Sequence, residues 1–370
     1  MKKFFLLLLL LFVGGYWWWQ GKQPLASPQG KKVWGLSTKR HYEVVGFLPS
    51  WMVKKAKIEP EVLGQLIFLG VGVEANGALV WDGQAKLIYS PEFEVMRRRM
   101  HESGKKVILG VKLFEDKKID KLMASETAQE RLVGEIKEVV EQGQFDGVNV
   151  DFEYVSNPTG VLEEEFLVFL KSLREAEVGE ISLDVFCNTI LKGNWESLSE
   201  AAKILDWVVI MAYDFHRPGS MYAGAVAPIR AGAAERSILE TLQTAWEIGL
   251  PREKLIVAYP LYGYEWRTYG EELGAQVKPG QVAMASYGRM KSELLEKGVE
   301  ANWDSLALSP WIAWEEEGEW YQVYFENLAS ISVKVKLVVE SQMGGVGFWA
   351  LGYEGEEGKE VWEEVKRWVN

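Results

Sequence analysis

Cysteine and histidine are scarce in this chain of 370 residues. The single cysteine, Cys187, cannot form an intrachain disulfide, and its place in the apolar run 181–191 favours a buried, reduced thiol. The three histidines, His41, His101 and His216, lie far apart and show no metal-ligand spacing. The sequence therefore predicts neither a zinc site nor a serine–histidine–aspartate triad.

Positive charge is also scarce outside the N-terminal segment. Residues 1–40 contain seven of the 41 Lys and Arg residues and no acidic residue. Residues 41–370 therefore contain 34 basic and 53 acidic residues. A body with this net charge of −19 repels phosphate backbones. We therefore expect no nucleic-acid partner.

Tryptophan, by contrast, is abundant. The chain has 17 tryptophans, of which thirteen follow residue 40. Aromatic rings stack on the faces of sugars, so some of these side chains could form carbohydrate platforms. For any single tryptophan, packing in the core is the commoner role.

Residues 1–19 have the composition of a targeting segment. Lys2 and Lys3 precede the apolar run 4–19, as in an export signal. This run is slightly shorter than the roughly 20 residues of a membrane-spanning helix, but the aromatic residues 16–19 suit a membrane interface. We interpret it as a hydrophobic anchor in preference to a cleaved signal peptide, followed by a linker at 20–40. Both interpretations place the body outside the cytoplasm, either anchored to the membrane or secreted.

From residue 41 onward, short apolar runs alternate with amphipathic stretches. The runs are rich in β-branched and aromatic residues, as in strands buried in a parallel sheet. Eight strands separated by helices predict an α/β fold of the (β/α)8 barrel type over residues 41–370. The eight predicted strands are 43–48, 65–73, 106–111, 147–154, 181–186, 207–213, 255–259 and 345–350.

The interval between the seventh and eighth predicted strands is too long for a single helix. Residues 263–345 contain charged, aromatic and weakly periodic sequence before a helical pattern that begins at 328. We predict an α+β insertion at about 265–327 on the face of the barrel where the strand–helix loops lie. Because that face carries the active site in barrel enzymes, the insertion is expected to wall the substrate cleft.

The densest chemical signal lies in the fourth predicted strand. Side chains alternate between the two faces of a strand, so Asn149, Asp151 and Glu153 share the face that points into the barrel. Two carboxylates and an amide are costly to bury without hydrogen bonds or a function. The alternatives are a structural polar network and a catalytic site, and acids at the carboxyl end of a barrel strand favour catalysis.

The spacing of these acids restricts the mechanism. Residues two apart on a strand lie about 6.6 Å apart on one side, so Asp151 and Glu153 cannot occupy opposite faces of a sugar ring. Ionised Asp151 would instead raise the pKa of Glu153 and keep it protonated as a general acid. A 2-acetamido group on the substrate could then supply the nucleophile, with its N–H oriented by Asp151.

This stretch resembles the Asp-x-x-Asp-x-Asp-x-Glu signature of glycoside hydrolase family 18, the chitinase-like barrel enzymes. The matching positions are Asp146, Asp151 and Glu153, and Gly147 follows the first of them. The resemblance implies that Glu153 is the proton donor and that Asp151 holds the acetamido group. Asn149 departs from the signature, where most chitinases have an aspartate that shares the charge of its neighbour. We expect this difference to affect the pH optimum and the rate rather than the reaction.

Further motifs resemble the same family along most of the body. Met211, Tyr213 and Asp214 match a Met-x-Tyr-Asp segment, which implies that Tyr213 bonds the acetamido oxygen while Met211 and Asp214 line the pocket. Other matches are Tyr262 and Trp266 after strand seven and, more weakly, Phe47 on strand one, which the resemblance implies to contact the substrate. Trp349 at strand eight matches the tryptophan that forms the floor under the bound sugar in this family.

The predicted insertion is similar to that of the cell-wall-lytic branch of the family. The similar segments are 303–304, 309–311 and 323–327, followed by Ser330 and Lys334. Members of that branch hydrolyse N-acetylglucosaminyl bonds of peptidoglycan in spore cortex. They often carry peptidoglycan-binding repeats, and this sequence has none.

Three functions are compatible with these patterns. The favoured one is hydrolysis of β-1,4 N-acetylglucosaminyl bonds in chitin-like or peptidoglycan glycans by a retaining, substrate-assisted mechanism without metal or other cofactor. The second is a catalytically weak or inactive glycan-binding barrel at the cell surface, which Asn149 and the tryptophans motivate. The third is an unrelated barrel hydrolase that pairs Glu153 with a distant carboxylate such as Glu265 or Glu354.

Overall fold

The computed structural model describes residues 41–154, 164–192, 195–232, 235–294, 296, 298–356 and 358–369. The predicted anchor and linker, residues 1–40, lie outside these described residues. Within the described ranges, none of the helices combines the length and apolar character needed to cross a membrane.

Nine strands form the larger sheet and five the smaller one. The strands are β1 (Glu43–Pro49), β2 (Gln65–Val73), β3 (Leu79–Val80), β4 (Lys106–Leu113), β5 (Gly147–Phe152), β6 (Glu180–Phe186), β7 (Trp207–Met211), β8 (Leu255–Pro260), β9 (Tyr262–Thr268), β10 (Ala283–Ser286), β11 (Asn302–Asp304), β12 (Ser309–Glu316), β13 (Glu319–Tyr324) and β14 (Gly345–Trp349).

Eight parallel strands close into a barrel. Their order is β1-β14-β8-β7-β6-β5-β4-β2, and β1 also pairs with β2, which completes the ring. The short strand β3 adds to β2 in antiparallel orientation. The predicted (β/α)8 barrel is confirmed, with the carboxyl ends of all eight strands at one face.

The barrel strands are buried on both sides, which explains their continuous apolar runs. A cluster inside the ring includes Val45, Ile67 and Ile256, while alternate residues face the surrounding helices. On β5, for example, Phe152 turns outward and stacks on Phe169 with ring centroids 6.0 Å apart. Burial on both faces is typical of parallel sheets covered by helices.

Helices cover the outside of the ring, and several begin at side-chain caps. Ser90, Ser125 and Ser237 each accept a hydrogen bond from a backbone N–H of the first turn. The helices are α1 (Pro91–Glu102), α2 (Asp116–Met123), α3 (Glu126–Gln142), α4 (Glu164–Glu175), α5 (Cys187–Lys192), α6 (Trp195–Ile204), α7 (Ile238–Glu247), α8 (Tyr287–Glu293), α9 (Leu328–Glu340) and α10 (Lys359–Val369).

The segment between β8 and β14 builds the second sheet. It is antiparallel with the order β10-β9-β13-β12-β11, and α8 lies between β10 and β11 in the chain. The sheet begins immediately after β8, where a side chain on Gly263 would clash with the carbonyl oxygen of Tyr324 at 1.8 Å. Glycine is therefore required where β9 meets β13.

Candidate active site

Strand β5 carries the predicted acids toward the carboxyl face of the barrel. Asn149 and Asp151 are buried inside the ring, and Glu153 follows the last strand residue and is partly exposed. The start of the strand is held by Asp146, which accepts a 2.7 Å hydrogen bond from the N–H of Val107. At Gly147 an added Cβ would lie 2.1 Å from the carbonyl oxygen of Glu180. These contacts fix the position of β5 along the barrel axis relative to its neighbours β4 and β6.

Asn149 forms a bridge to the neighbouring strand β6. Its amide donates to the hydroxyl of Ser182 at 3.0 Å and to a carboxyl oxygen of Asp184 at 2.8 Å. Burial raises the pKa of Asp184 to about 8, against the opposing effect of the hydrogen bond from Asn149. Sequence reasoning missed Asp184, although its period-two placement inside a predicted strand was a usable signal.

The carboxyl groups of Asp151 and Glu153 lie close enough to shift each other's pKa. Burial raises the pKa of Glu153 to about 7, with a smaller upward contribution from the charge of Asp214 and an opposing, lowering effect of the neighbouring Asp151 carboxyl. The expected increase caused by Asp151 is therefore not found, and burial is the main cause of the high pKa. Burial also raises the pKa of Asp151, followed by repulsion from Glu153 and Asp184. Closely spaced buried carboxyls resist simultaneous ionisation, so this group retains protons near neutral pH.

Tyr213 and Asp214 follow β7 and turn toward the same group of acids. Burial raises the pKa of Tyr213, and the neighbouring carboxylates raise it further, so the hydroxyl remains a hydrogen-bond donor. Asp214 has a left-handed backbone with φ of 59° and accepts a 2.5 Å hydrogen bond from the hydroxyl of Tyr262. The hydroxyl of Tyr264 lies 3.4 Å from the same oxygen.

Aromatic side chains line the opposite side of the barrel mouth. Trp349 at the end of β14 lies 6.1 Å from the ring of Phe47 and 6.4 Å from that of Trp51, between ring centroids. The peptide bond between Trp349 and Ala350 is cis. Trp349 and Tyr213 both pack on the cluster inside the barrel. Phe47 lies beneath it and is almost fully buried.

Four of the predicted residues line one cleft of about 380 Å³. They are Glu153, Met211, Tyr213 and Asp214. Besides Cys187, the cleft includes five residues that sequence reasoning did not select, namely Phe186, Asn188, Phe215, Arg217 and Arg236. Phe186 ends β6 and Asn188 lies in α5, whereas the other three are loop residues, which lack the periodic signal of a strand and are placed here only by the folded chain.

Cys187 also borders this cleft and is a buried free thiol, as predicted. Its thiol donates a 3.4 Å hydrogen bond to the carbonyl oxygen of Met211. Burial raises its pKa to about 12, so the group stays protonated and is a poor nucleophile.

Trp266 lies away from the predicted sugar contacts. Its side chain is fully buried in the second sheet, where it packs against Tyr264 and Tyr324. A sugar cannot reach a side chain without exposed surface, so the predicted substrate contact is not supported by this placement.

The two distant carboxylates that were considered have structural partners. Glu265 pairs with the guanidinium of Arg289 at 2.6 Å. Glu354 is buried and accepts a 2.6 Å hydrogen bond from the N–H of Gly352. Neither residue borders the cleft that contains Glu153.

A closed parallel barrel with coupled acids at the carboxyl ends of its strands is the architecture of barrel glycoside hydrolases. The family model for glycosyl hydrolases family 18 matches residues 43–354, and the chain belongs to this family.

Its relatives include both cortex-lytic enzymes and chitinases. The cortical fragment-lytic enzyme of Bacillus subtilis is 27% identical over 62% of this chain and 52% of its own length. This chain spans about half the length of the first curated relatives it matches.

Solved structures show the same fold. A family 18 chitinase from Cycas revoluta in complex with (GlcNAc)3 has a TM-score of 0.73 at 22% identity, covering 87% of this chain and 98% of that one. The spore cortex-lytic enzyme SleL of Bacillus megaterium has a TM-score of 0.69 at 21% identity, covering 88% and 74%.

Proposed function

We propose that this chain hydrolyses β-1,4 N-acetylglucosaminyl bonds in chitin-like or peptidoglycan glycans by a retaining, substrate-assisted mechanism. The observation that carries the proposal is the convergence of Glu153, Tyr213 and Asp214 on one cleft, with Asp151 next to Glu153 on the inner face of β5. These are the groups needed to protonate a leaving oxygen and to hold an acetamido group. Membership of family 18 supports the same reaction.

In the first step, Glu153 donates its proton to the glycosidic oxygen. A pKa of about 7, raised mainly by burial, keeps this carboxyl protonated in a useful fraction of molecules at neutral pH. The acetamido carbonyl oxygen attacks C1 as the bond to the leaving oxygen breaks, which forms a cyclic oxazolinium ion. The ionised Glu153 then takes a proton from water, which attacks C1 and restores the acetamido group. Two inversions at C1 give net retention.

Asp151 and Tyr213 position the acetamido group during this attack. The Asp151 carboxyl would accept the amide N–H, whose positive charge grows as the ring closes. The Tyr213 hydroxyl, whose pKa is raised by burial and by the neighbouring acids, stays protonated and would donate to the acetamido oxygen. Trp349 would form the apolar floor beneath the sugar.

The test uses the purified protein and an aryl glycoside of the N-acetylglucosamine dimer. We expect release of the aryl group and tight inhibition by a thiazoline analogue, because only an acetamido-assisted site is complementary to that mimic. Retained glycan binding without release would instead favour the glycan-binding alternative. Release without inhibition would favour a two-carboxylate hydrolase.

We further propose that the barrel acts outside the cytoplasm, either anchored by residues 4–19 or secreted. The basic residues before this apolar run support export. The expected result is protease accessibility of the barrel in intact cells, with the protein in the membrane fraction if the segment is retained. A barrel protected from external protease in intact cells would contradict this placement.

A further inference from the structure

Asp184 lies on β6, inside the barrel and beside the acids of β5. Its side chain is only 4% exposed, and among the described residues its carboxyl accepts one side-chain hydrogen bond, from the amide of Asn149 at 2.8 Å. In the same described ranges, no basic side chain is among the neighbours that shift its pKa. A carboxyl buried without a cation destabilises a folded protein when it ionises. This cost points to a role for Asp184 beyond packing.

The amide of Asn149 is oriented by its two partners on β6. Its nitrogen lies 3.0 Å from the hydroxyl of Ser182 and 2.8 Å from a carboxyl oxygen of Asp184. An amide has its donors at one end and its acceptor at the other, so the side-chain oxygen Oδ1 of Asn149 points away from these partners. Within the part of the chain that the structure describes, this buried oxygen has no hydrogen-bond partner. The contact with Asp184 therefore leaves an unsatisfied acceptor inside the barrel.

Asp151 can supply the missing donor when it is protonated. Its side chain shares the inner face of β5 with that of Asn149, and the two residues are about 6.6 Å apart along the strand, which two short side chains and one hydrogen bond can span. The Oδ1 atom of Asp151 is also buried without a partner among the described residues. A neutral carboxyl has an O–H donor, whereas an ionised one can only accept. A proton on Asp151 therefore satisfies both oxygens with one hydrogen bond.

The charge of Asp184 acts on Asp151 in the same direction. The charged and titratable groups around Asp151 come from four elements and are Lys112 on β4, Glu153 after β5, Asp184 on β6 and Tyr213 after β7. After burial, repulsion from Glu153 and Asp184 raises the pKa of Asp151, while Lys112 lowers it. Asp184 has Glu153 and Tyr213 as further titratable neighbours. Both its charge and its hold on the amide thus favour the protonated form of Asp151.

We propose that Asp184 is a positioning residue that acts through the amide of Asn149 to keep a proton on Asp151 as the pH rises above neutrality. The proposal rests on the proposed function, because it concerns the acid that would orient the acetamido group. Asp151 and Glu153 are coupled and titrate as a pair, so a proton kept by either is shared with the proton donor. Asp184 thereby extends activity to higher pH. The carboxyl that the family signature has at position 149 is replaced by one on the adjacent strand.

The first test compares the pH profiles of kcat/KM on an aryl glycoside of the N-acetylglucosamine dimer. Asp184→Asn keeps the shape of the side chain and an oxygen for the Asn149 amide, but removes the charge. Because burial raises the pKa of Asp184 to about 8, its charge acts mainly on the alkaline side of the profile. We expect the alkaline limb to move to lower pH by about one unit, so that kcat/KM falls about tenfold there and changes little on the acidic side. A purely structural role would lower kcat/KM by the same factor at every pH.

Ser182→Ala is the matched control for this comparison. It removes the other partner of the Asn149 amide without changing any charge. Its alkaline limb should stay where the wild-type limb lies. An equal displacement in both variants, or no displacement in Asp184→Asn, would overturn the proposal.

A second measurement requires no turnover and so separates this proposal from the proposed reaction. The carboxyl carbons of the aspartates are titrated by ¹³C NMR, with Asp151 and Asp184 each assigned by replacement with asparagine. The titration midpoint of Asp151 should fall by about one pH unit in Asp184→Asn. That of Asp184 should fall by a similar amount in Asp151→Asn, because coupling between two sites is reciprocal. These shifts support the proposal even if the protein cleaves no N-acetylglucosaminide, and an unchanged midpoint of Asp151 would contradict it.

Discussion

At the scale of single residues, the site depends on two carboxyls that leave the same side of one strand. Asp151 and Glu153 are close enough to shift each other's pKa, and burial raises the pKa of both. They cannot attack a sugar from opposite faces. Their proximity is useful only if one holds the substrate while the other transfers the proton.

Replacing Glu153 by glutamine removes the transferable proton and keeps the shape of the side chain. We expect kcat to fall by at least about 100-fold, the lower end of what general acid catalysis contributes, with glycan affinity retained. Steady-state kinetics and calorimetry check the two parts. Glu165→Gln, exposed on α4, serves as a control. Substantial residual turnover would point to another acid.

Replacing Tyr213 by phenylalanine removes one donor aimed at the proposed acetamido oxygen. We expect kcat to fall by about 10–1000-fold, because charge develops on that oxygen only as the ring closes. A substrate that is cleaved through a different nucleophile should show no such decrease in kcat. An unchanged kcat on N-acetylglucosaminides would remove Tyr213 from the mechanism.

The exchange of Asn149 and Asp184 tests the link between β5 and β6. Asn149→Asp places another carboxyl against Asp184 at a buried hydrogen bond of 2.8 Å. Added negative charge raises the pKa of the coupled acids, so the alkaline limb of the kcat/KM profile should move to higher pH while activity persists. The double substitution Asn149→Asp with Asp184→Asn restores one amide and one carboxyl, and should return the limb toward the wild type. A double variant displaced as far as the single one would contradict this link.

At the scale of elements, α9 is held at its start by a buried ion pair. The ammonium of Lys334 lies 2.8 Å from Glu326, and both side chains are only 1% exposed. The hydroxyl of Ser330 donates to the same carboxyl, and Asn327 and Ser330 form a capping box. These contacts join the start of α9 to the segment that follows β13.

Lys334→Met should lower the free energy of unfolding by about 3–5 kcal/mol, because it leaves the carboxyl of Glu326 buried without its cation. Adding Glu326→Gln should recover part of this loss, since the remaining groups are then neutral. Urea unfolding followed by tryptophan fluorescence measures both. A loss below about 1 kcal/mol for the single variant would show that water reaches the pair.

At the scale of the whole molecule, several buried acids give stability a characteristic pH dependence. Burial raises the pKa to about 7 in Glu43, Glu153 and Glu354 and to about 8 in Asp184. These acids ionise near pH 4 in the unfolded chain, so the folded state binds more protons between about pH 4 and 8. Their contribution to stability is fully present below the unfolded pKa and is lost as pH rises through the folded pKa.

We therefore expect the free energy of unfolding to decrease by at least about 2 kcal/mol between pH 5 and pH 8, measured by urea titration at each pH. Glu43 begins β1, at the end of the barrel remote from the cleft. Glu43→Gln should therefore make the decrease in the free energy of unfolding smaller and leave the pH profile of activity unchanged. A stability that rises over the same interval would contradict the burial of these acids.

The barrel was predictable because each strand carries its own signal. The apolar runs around Gln65–Val73 and Gly147–Phe152 are short, β-branched and separated by helical patterns, and strands buried on both faces require such runs. The inward face of Asn149, Asp151 and Glu153 followed from the period of two. For Trp266, local sequence did not distinguish a sugar contact from core packing. The sequence around a tryptophan that follows a strand is similar in both cases, and only the structure shows that this side chain is buried.

By itself, the sequence determined the barrel, the strand that carries the acids and the family to which the chain belongs. These depend on local periodicity and short motifs, which neighbouring residues in the chain express directly. Only the tertiary structure decided that Asp184 meets Asn149, that Trp266 is buried, and that Arg217 and Arg236 line the cleft. Such contacts join residues that are distant in the chain, and only the assembly of the barrel and of the second sheet brings them together.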